Sequence, residues 1–170
     1  MTKQQFFAIS SFLLLIGTGF PASLSALEFT SSELSALSAG KLVCKPLSTS
    51  RQNGFYGGTG FALVDATPEV IWRFLEDWRA YPDAFPRTVE VKEVSQKERS
   101  SLVRMRLGYK LLSVKYFLSV DRDWNQKTIT FNLAKSRPHD IHATRGYWRL
   151  LPQPDGRTLV AYGIAVQLPV

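Results

Sequence analysis

The sequence predicts an α+β domain whose antiparallel sheet curls around its helical side. Three observations carry that prediction. Thr67-Pro68-Glu69 is a helix start, and it directly follows the strand-like run Gly60 to Asp65. From Val89 onward apolar side chains alternate with polar ones through several successive segments, the pattern of a meander. Asp155-Gly156 then separates two such segments and reads as a hairpin turn.

A chain of 170 residues can bury one proper core and is short for two. With 45% hydrophobic and 21% charged residues it lies far from the disordered class. We therefore expect a signal segment at 1–25, a lead-in at 26–56 with a short helix, first strand and loop, and a main domain at 57–170.

The signal segment rests on Lys3, an apolar run from Phe6 to Ile16, helix breakers at Gly17, Gly19 and Pro21, and small residues at Ser23 and Ser25. The run is shorter than the roughly 20 residues that span a bilayer. Cleavage is expected near residue 25, with an uncleaved anchor as the alternative, and either places the domain outside the cytoplasm. Removing this segment takes only Lys3 from a formal charge of +7, so the domain stays basic. Such a surface suits an anionic membrane or simple solubility, and nucleic acid is not an expected partner.

Ser31 to Gly40 reads as a short helix, with Ser31 or Ser32 as its cap, Leu34 and Leu37 as its buried face and Gly40 as its end. Lys41 to Leu47 is strand-like. Ser48 to Gly60 reads as a loose, turn-rich stretch around Asn53-Gly54 and Gly57-Gly58. Cys44 is the single cysteine, so it has no disulfide partner in the chain and is expected to be buried. The helix after Thr67 runs to about residue 77, with Ile71, Phe74, Leu75 and Trp78 on one side, and Tyr81-Pro82 and Phe85-Pro86 end regular helix there. In the meander Val103, Met105, Leu107, Tyr109 and Leu111 face inward while Arg104, Arg106 and Lys110 face water. Leu112 to Val120, Thr128 to Ala134, Ile141 to Leu151 and Thr158 to Leu168 complete the strands.

The segment from Ile71-Trp72 through Asp77, Tyr81-Pro82 and Phe85-Pro86 resembles the helix-to-strand passage of the START-like superfamily, which includes the polyketide cyclase/dehydrase and coenzyme Q-binding proteins. Gly146-Tyr147-Trp148-Arg149-Leu150 and the Asp155-Gly156 turn resemble its late hairpin. The resemblance covers roughly residues 31–168. It implies a helix-grip (START/Bet v 1-like) fold: a curved antiparallel sheet, a long closing helix after it, and an elongated apolar cavity between them. Trp72, Asp77, Pro86 and Gly146 would be structural motif residues. The sequence stops at Gln167-Leu168-Pro169-Val170, where the closing helix would start, so that helix is expected to be missing, with the chain a fragment or the sheet covered by another element.

Chemistry is sparse. His139, Asp140 and His142 form too thin a set for a metal site, no G-x-S-x-G elbow occurs, and Gly57-Gly58-Thr59-Gly60 lacks a P-loop lysine and reads as a flexible turn. No metal or cofactor is implied. Tyr109, Tyr116, Phe131 and Trp148 lie on inward faces, with Tyr81 and Phe85 near the implied cavity mouth. These rings either pack on one another or contact a ligand, and periodicity does not separate the two. The favoured function is binding of a lipid, quinone or other apolar small molecule. One alternative is a cyclase/dehydrase-like enzyme using Tyr109, Tyr116 or His142. The other is a ligand-free interaction module docking through Arg104, Arg106, Lys110 and Lys115.

Overall fold

The computed structural model describes residues 29–46, 54–109 and 112–168, excluding the side chains of residues 109 and 112. The expected signal segment at 1–25 lies outside them. Helix α1 (Ser31–Ser38) precedes β1 (Val43–Pro46) and β2 (Phe55–Val64); α2 (Pro68–Glu76) runs through a 3-10 turn (Trp78–Ala80) into α3 (Tyr81–Ala84). Six strands follow: β3 (Thr88–Lys97), β4 (Ser100–Tyr109), β5 (Leu112–Asp123), β6 (Thr128–Leu133), β7 (Ala143–Pro152) and β8 (Thr158–Gln167). They form one curved, open eight-stranded sheet in the order β1-β2-β8-β7-β6-β5-β4-β3. Every neighbouring pair is antiparallel. Among the described residues no helix is long and apolar enough to cross a membrane.

Helix α1 lies against one face of the sheet, where Leu37 packs with Val43, Phe61 and Ala161. Its cap is Thr30, not Ser31 or Ser32: the Thr30 hydroxyl accepts from the Glu33 amide, and the Glu33 carboxylate accepts from the Thr30 amide, a reciprocal capping box. Gly40, at φ 72°, ends the helix with its own amide on Leu37 O and that of Lys41 on Ala36 O. Leu34 is 52% exposed, contrary to expectation, because an eight-residue helix on a sheet edge seats only Leu37.

Cys44 is also exposed, since alternation on the edge strand β1 turns Val43 inward and the thiol outward. Gly57 and Gly58 lie within β2 and are not a flexible turn. A Cβ on Gly57 would stand 1.9 Å from Ile164 O, so the glycine permits β2 to close against β8 at a φ of 153°.

The opposite, concave face carries the main core. Helix α2 seats Ile71, Trp72 and Leu75 there against Val64, Val103, Val120, Leu150 and Val160. Thr67 occupies the N-cap position of α2, but its side chain makes no cap hydrogen bond; Pro68 at the first turn leaves one fewer amide to satisfy. Trp72 meets Trp124 of the β5–β6 turn edge-on, with ring centroids 5.0 Å apart. Asp77 accepts from the Arg79 amide and caps the 3-10 turn. The chain then makes one more helical turn, α3, where none was expected, because Pro82 sits in its first turn and needs no amide partner there.

Strand β3 is an edge. Its register against β4 shifts between Thr88 and Glu90 and again between Glu93 and Ser95, and these irregularities turn Val89 and Val94 out to solvent. Strand β7 starts at Ala143, two residues after the expected Ile141, because the preceding loop is occupied in bracing β5. The Asp140 carboxylate accepts from the Lys115 amide at 2.7 Å, and the Asp140 amide donates to Lys115 O at 2.9 Å.

Candidate functional site

The concave face is filled at one end and hollow at the other. Along β5 the inward residues are Val120, Leu118, Tyr116 and Val114; along β8 they are Val160, Tyr162, Ile164 and Val166. Helix α2 covers the Val120 and Val160 end. Beyond it a cavity of about 250 Å³ opens between the sheet and the α3 passage, walled by β4, β5, β6, β7 and β8. That is slightly below the range of about 300–1,000 Å³ for sites that enclose drug-sized ligands.

The structure gathers Tyr81, Phe85, Tyr116, Phe131 and Trp148 around this one cavity, with Pro86 at its rim. The side chain of Tyr109 lies outside the described residues. Except for Tyr116, the described rings form a continuous chain: Tyr81 lies 4.7 Å from Phe85, Phe85 5.9 Å from Trp148, and Trp148 stacks on Tyr162 at 4.1 Å. Tyr162 in turn stacks toward Phe131 at 6.2 Å. Gly146 makes this arrangement possible. It faces Phe131 across the β6–β7 pair, and a Cβ there would stand 2.2 Å from the Phe131 ring and 2.4 Å from Gly163 O.

Tyr162 and Ile141 also line the cavity and were not foreseen. The β7–β8 register pairs Tyr162 with Trp148, so counting from the Asp155-Gly156 turn would have placed it beside a residue already read as inward. Ile141 reaches the cavity from the loop that braces β5, a position no strand alternation reveals.

Three phenols are among the described wall residues. Tyr81 is buried and donates its hydroxyl to Leu75 O at 2.8 Å, satisfying a carbonyl at the end of α2. Burial pushes the Tyr116 hydroxyl up to about 12 and raises those of Tyr81 and Tyr162 as well, so all three stay protonated and act as donors at neutral pH. Thr144 spends its hydroxyl on Ala165 O at 3.1 Å. The remaining wall is mostly apolar, including Met105, Leu107, Leu118, Ile129, Ile164 and Val166. Neither a carboxylate nor an imidazole is among the described lining residues.

A charged cluster not read from the sequence fixes one wall. Arg122 has a side chain only 8% exposed; its Nη2 lies 3.2 Å from Glu93 and its Nε 3.4 Å from Glu76. The Ser101 hydroxyl accepts from Arg122 and donates to Glu93, and the Trp78 indole donates to Glu93 at 3.3 Å. Burial raises the Glu93 carboxyl, but hydrogen bonds from Ser101, Trp78 and Arg122 outweigh it and hold the group below the usual carboxylate range. The cluster thus pins Trp78, a cavity wall, to β3, β4 and β5.

The other candidates do not converge. His139 and His142 are exposed, and no three metal-ligating side chains come together among the described residues. Arg104 and Arg106 do not simply face water: Arg104 donates to Glu90, and Arg106 Nε lies 3.5 Å from the same carboxylate. Lys110 lies outside the described residues.

The sequence profile of the family described as polyketide cyclase / dehydrase and lipid transport matches residues 64–170. The chain belongs to this family. A START-like fold accords with three solved structures. The Zhui aromatase/cyclase of Streptomyces sp. R1128 is 18% identical at a TM-score of 0.61, covering 68% of this chain and 70% of its own. The STAR-related lipid transfer protein of Xanthomonas axonopodis is 13% identical at 0.59, covering 76% and 79%. A START superfamily protein of Mycobacterium smegmatis is 16% identical at 0.56, covering 66% and 77%. At these identities the likeness is one of fold. None of the curated proteins matches the START-like chain in sequence.

Proposed function

We propose that this chain is an exported START-like domain that binds a lipid, quinone or other apolar small molecule in the cavity between its sheet and the α3 passage. The observation that carries the reading is the cavity of about 250 Å³, walled by aromatic and aliphatic side chains. Releasing water from such a wall favours an apolar occupant by about 25 cal/mol for each Å² covered. The family includes proteins of lipid transport, and the N-terminal pattern around Phe6 to Ser25 supports the reading of export. Binding is favoured over cyclisation or dehydration because the described wall offers phenols but no acid–base pair. The basic surplus suits delivery at an anionic membrane surface.

The test is to express the full chain, fractionate the cells, determine the N-terminus of the exported form, and extract the protein with organic solvent for mass spectrometry. A mature N-terminus near residue 26 and one apolar molecule per chain are expected. Val114→Trp, which fills the cavity from a half-buried wall position, should melt as the parent does and come out empty. A cytoplasmic protein overturns export, and an empty parent that also takes up no added apolar compound overturns binding.

A further inference from the structure

Of the three phenols in the described wall, one is committed to the protein and two are not. Tyr81 donates to Leu75 O and Thr144 to Ala165 O. Tyr116, nine-tenths buried on β5, and Tyr162 on β8 line the same cavity, and neither hydroxyl is hydrogen-bonded to any described residue. A hydroxyl that faces an apolar cavity is paired by whatever occupies it, so two on one cavity bear on the choice of occupant.

Packing keeps these groups where they are. The Tyr162 ring is stacked between Trp148 at 4.1 Å and Phe131 at 6.2 Å, each inclined by 28°. Burial raises the Tyr162 hydroxyl first, and the neighbouring Tyr116 and Tyr81 phenols raise it further. Tyr116 and Tyr162 face the cavity as neutral donors, while the Tyr81 proton is spent on Leu75 O. Among the described lining residues the one formal charge is Arg87, which is exposed at the rim beside Pro86.

We propose that Tyr116 and Tyr162 form a polar anchor that selects apolar ligands carrying a neutral oxygen acceptor, such as a ketone, quinone or ester carbonyl. This rests on the cavity-binding reading above and adds the chemistry of the ligand's buried end. A hydrocarbon leaves both hydroxyls unpaired. A carboxylate at these hydroxyls brings a full charge into an apolar wall whose one lining cation, Arg87, stays at the exposed rim, which costs more than two neutral donors return. Charged ends therefore stay at the rim.

Three bicyclic probes of similar size separate these cases: acetonaphthone, ethylnaphthalene and naphthoic acid. Each is titrated by calorimetry into the full exported chain, into Tyr116→Phe and Tyr162→Phe, and into the double variant. The ratio of the ketone's association constant to the hydrocarbon's should fall about tenfold when both hydroxyls are removed, with the hydrocarbon's own affinity unchanged. Naphthoate should bind the parent more weakly than the ketone at neutral pH. Both Phe variants should melt no lower than the parent, because each loses an unpaired hydroxyl and keeps its ring; lower melting would show that the hydroxyls serve the fold. A ratio that survives in the double variant, or naphthoate binding equal to that of the ketone, overturns the anchor while leaving the cavity reading intact. Failure of both neutral probes to bind the parent overturns both.

Discussion

The two ends of the concave face are built from the same strands and differ in what lies on them. Under α2 the sheet is closed: Val120 and Val160 are each 1% exposed, and Ile71 and Leu75 are wholly buried. A few residues along the same strands the exposure rises, through half-buried Ile164 and Val166 to Leu168 at 53%. Helix α2 is nine residues long, about 13 Å at 1.5 Å per residue, and covers one end of strands about 10–12 residues long. Stability and binding room are thus separated along one face. The helix consolidates its end, and the aromatic chain keeps the other from collapsing.

The sharpest way to break this comparison is Leu75→Ala. Leu75 is wholly buried between α2 and the sheet, so truncation leaves a void in a packed region and should cost about 3–4 kcal/mol by denaturant unfolding. Ligand uptake by the folded fraction should persist, since Leu75 does not line the cavity. A cost below about 1 kcal/mol would mean that the α2 end is no better packed than the hollow one.

The junction between the two ends is the Arg122 cluster, and it should respond to pH. Glu93→Gln removes the charge that faces Arg122 Nη2 and should cost about 2 kcal/mol near neutrality, with Glu76 still close to Nε. The sign of the pH dependence follows from the depressed Glu93 carboxyl. Its contribution is fully present above the unfolded value of about 4.3 and is lost as pH falls through the lower folded value. The parent should therefore lose stability between about pH 5 and pH 3, and the gap to Glu93→Gln should narrow over that window. Melting temperatures of both proteins across that range decide it; a constant gap would mean that Glu93 acts through its hydrogen bonds alone.

Legibility in the sequence follows the same division. Elements with contrasting faces were readable: the alternation Val114, Tyr116, Leu118, Val120 and the hairpin at Asp155-Gly156 both lie where expected. The wall residues Tyr116, Phe131 and Trp148 came from that contrast. Strand β8 offers none, because Ala161, Gly163 and Ala165 are as apolar as the residues between them, and Tyr162 stayed hidden. Arg122 is in phase with Val120 and Tyr116 and so points inward, but charge at a strand end usually marks solvent. Its partners Glu76, Glu93 and Ser101 lie on three other elements, which one strand's periodicity does not bring together. Gly57 read as a turn because its reason for being glycine, the Ile164 carbonyl, lies more than a hundred residues away.

The smallest expected effect belongs to the hollow end. Ile164 faces the cavity and is half-buried, so Ile164→Ala enlarges a space that already exists and does not open a new one. Much of the side chain already lacks neighbours on one side, and the cost should be about 1 kcal/mol, well below that of Leu75→Ala in the same denaturant titration. The truncation should also admit a bulkier occupant, so acenaphthenone should gain affinity relative to acetonaphthone in Ile164→Ala. If Ile164→Ala costs as much as Leu75→Ala and the bulkier ketone gains nothing, the wall is as tightly packed as the α2 end, and the cavity would close around its own side chains in solution. If instead the cost is small and the gain appears, the difference between the two ends of this sheet is the difference between a core and a binding site.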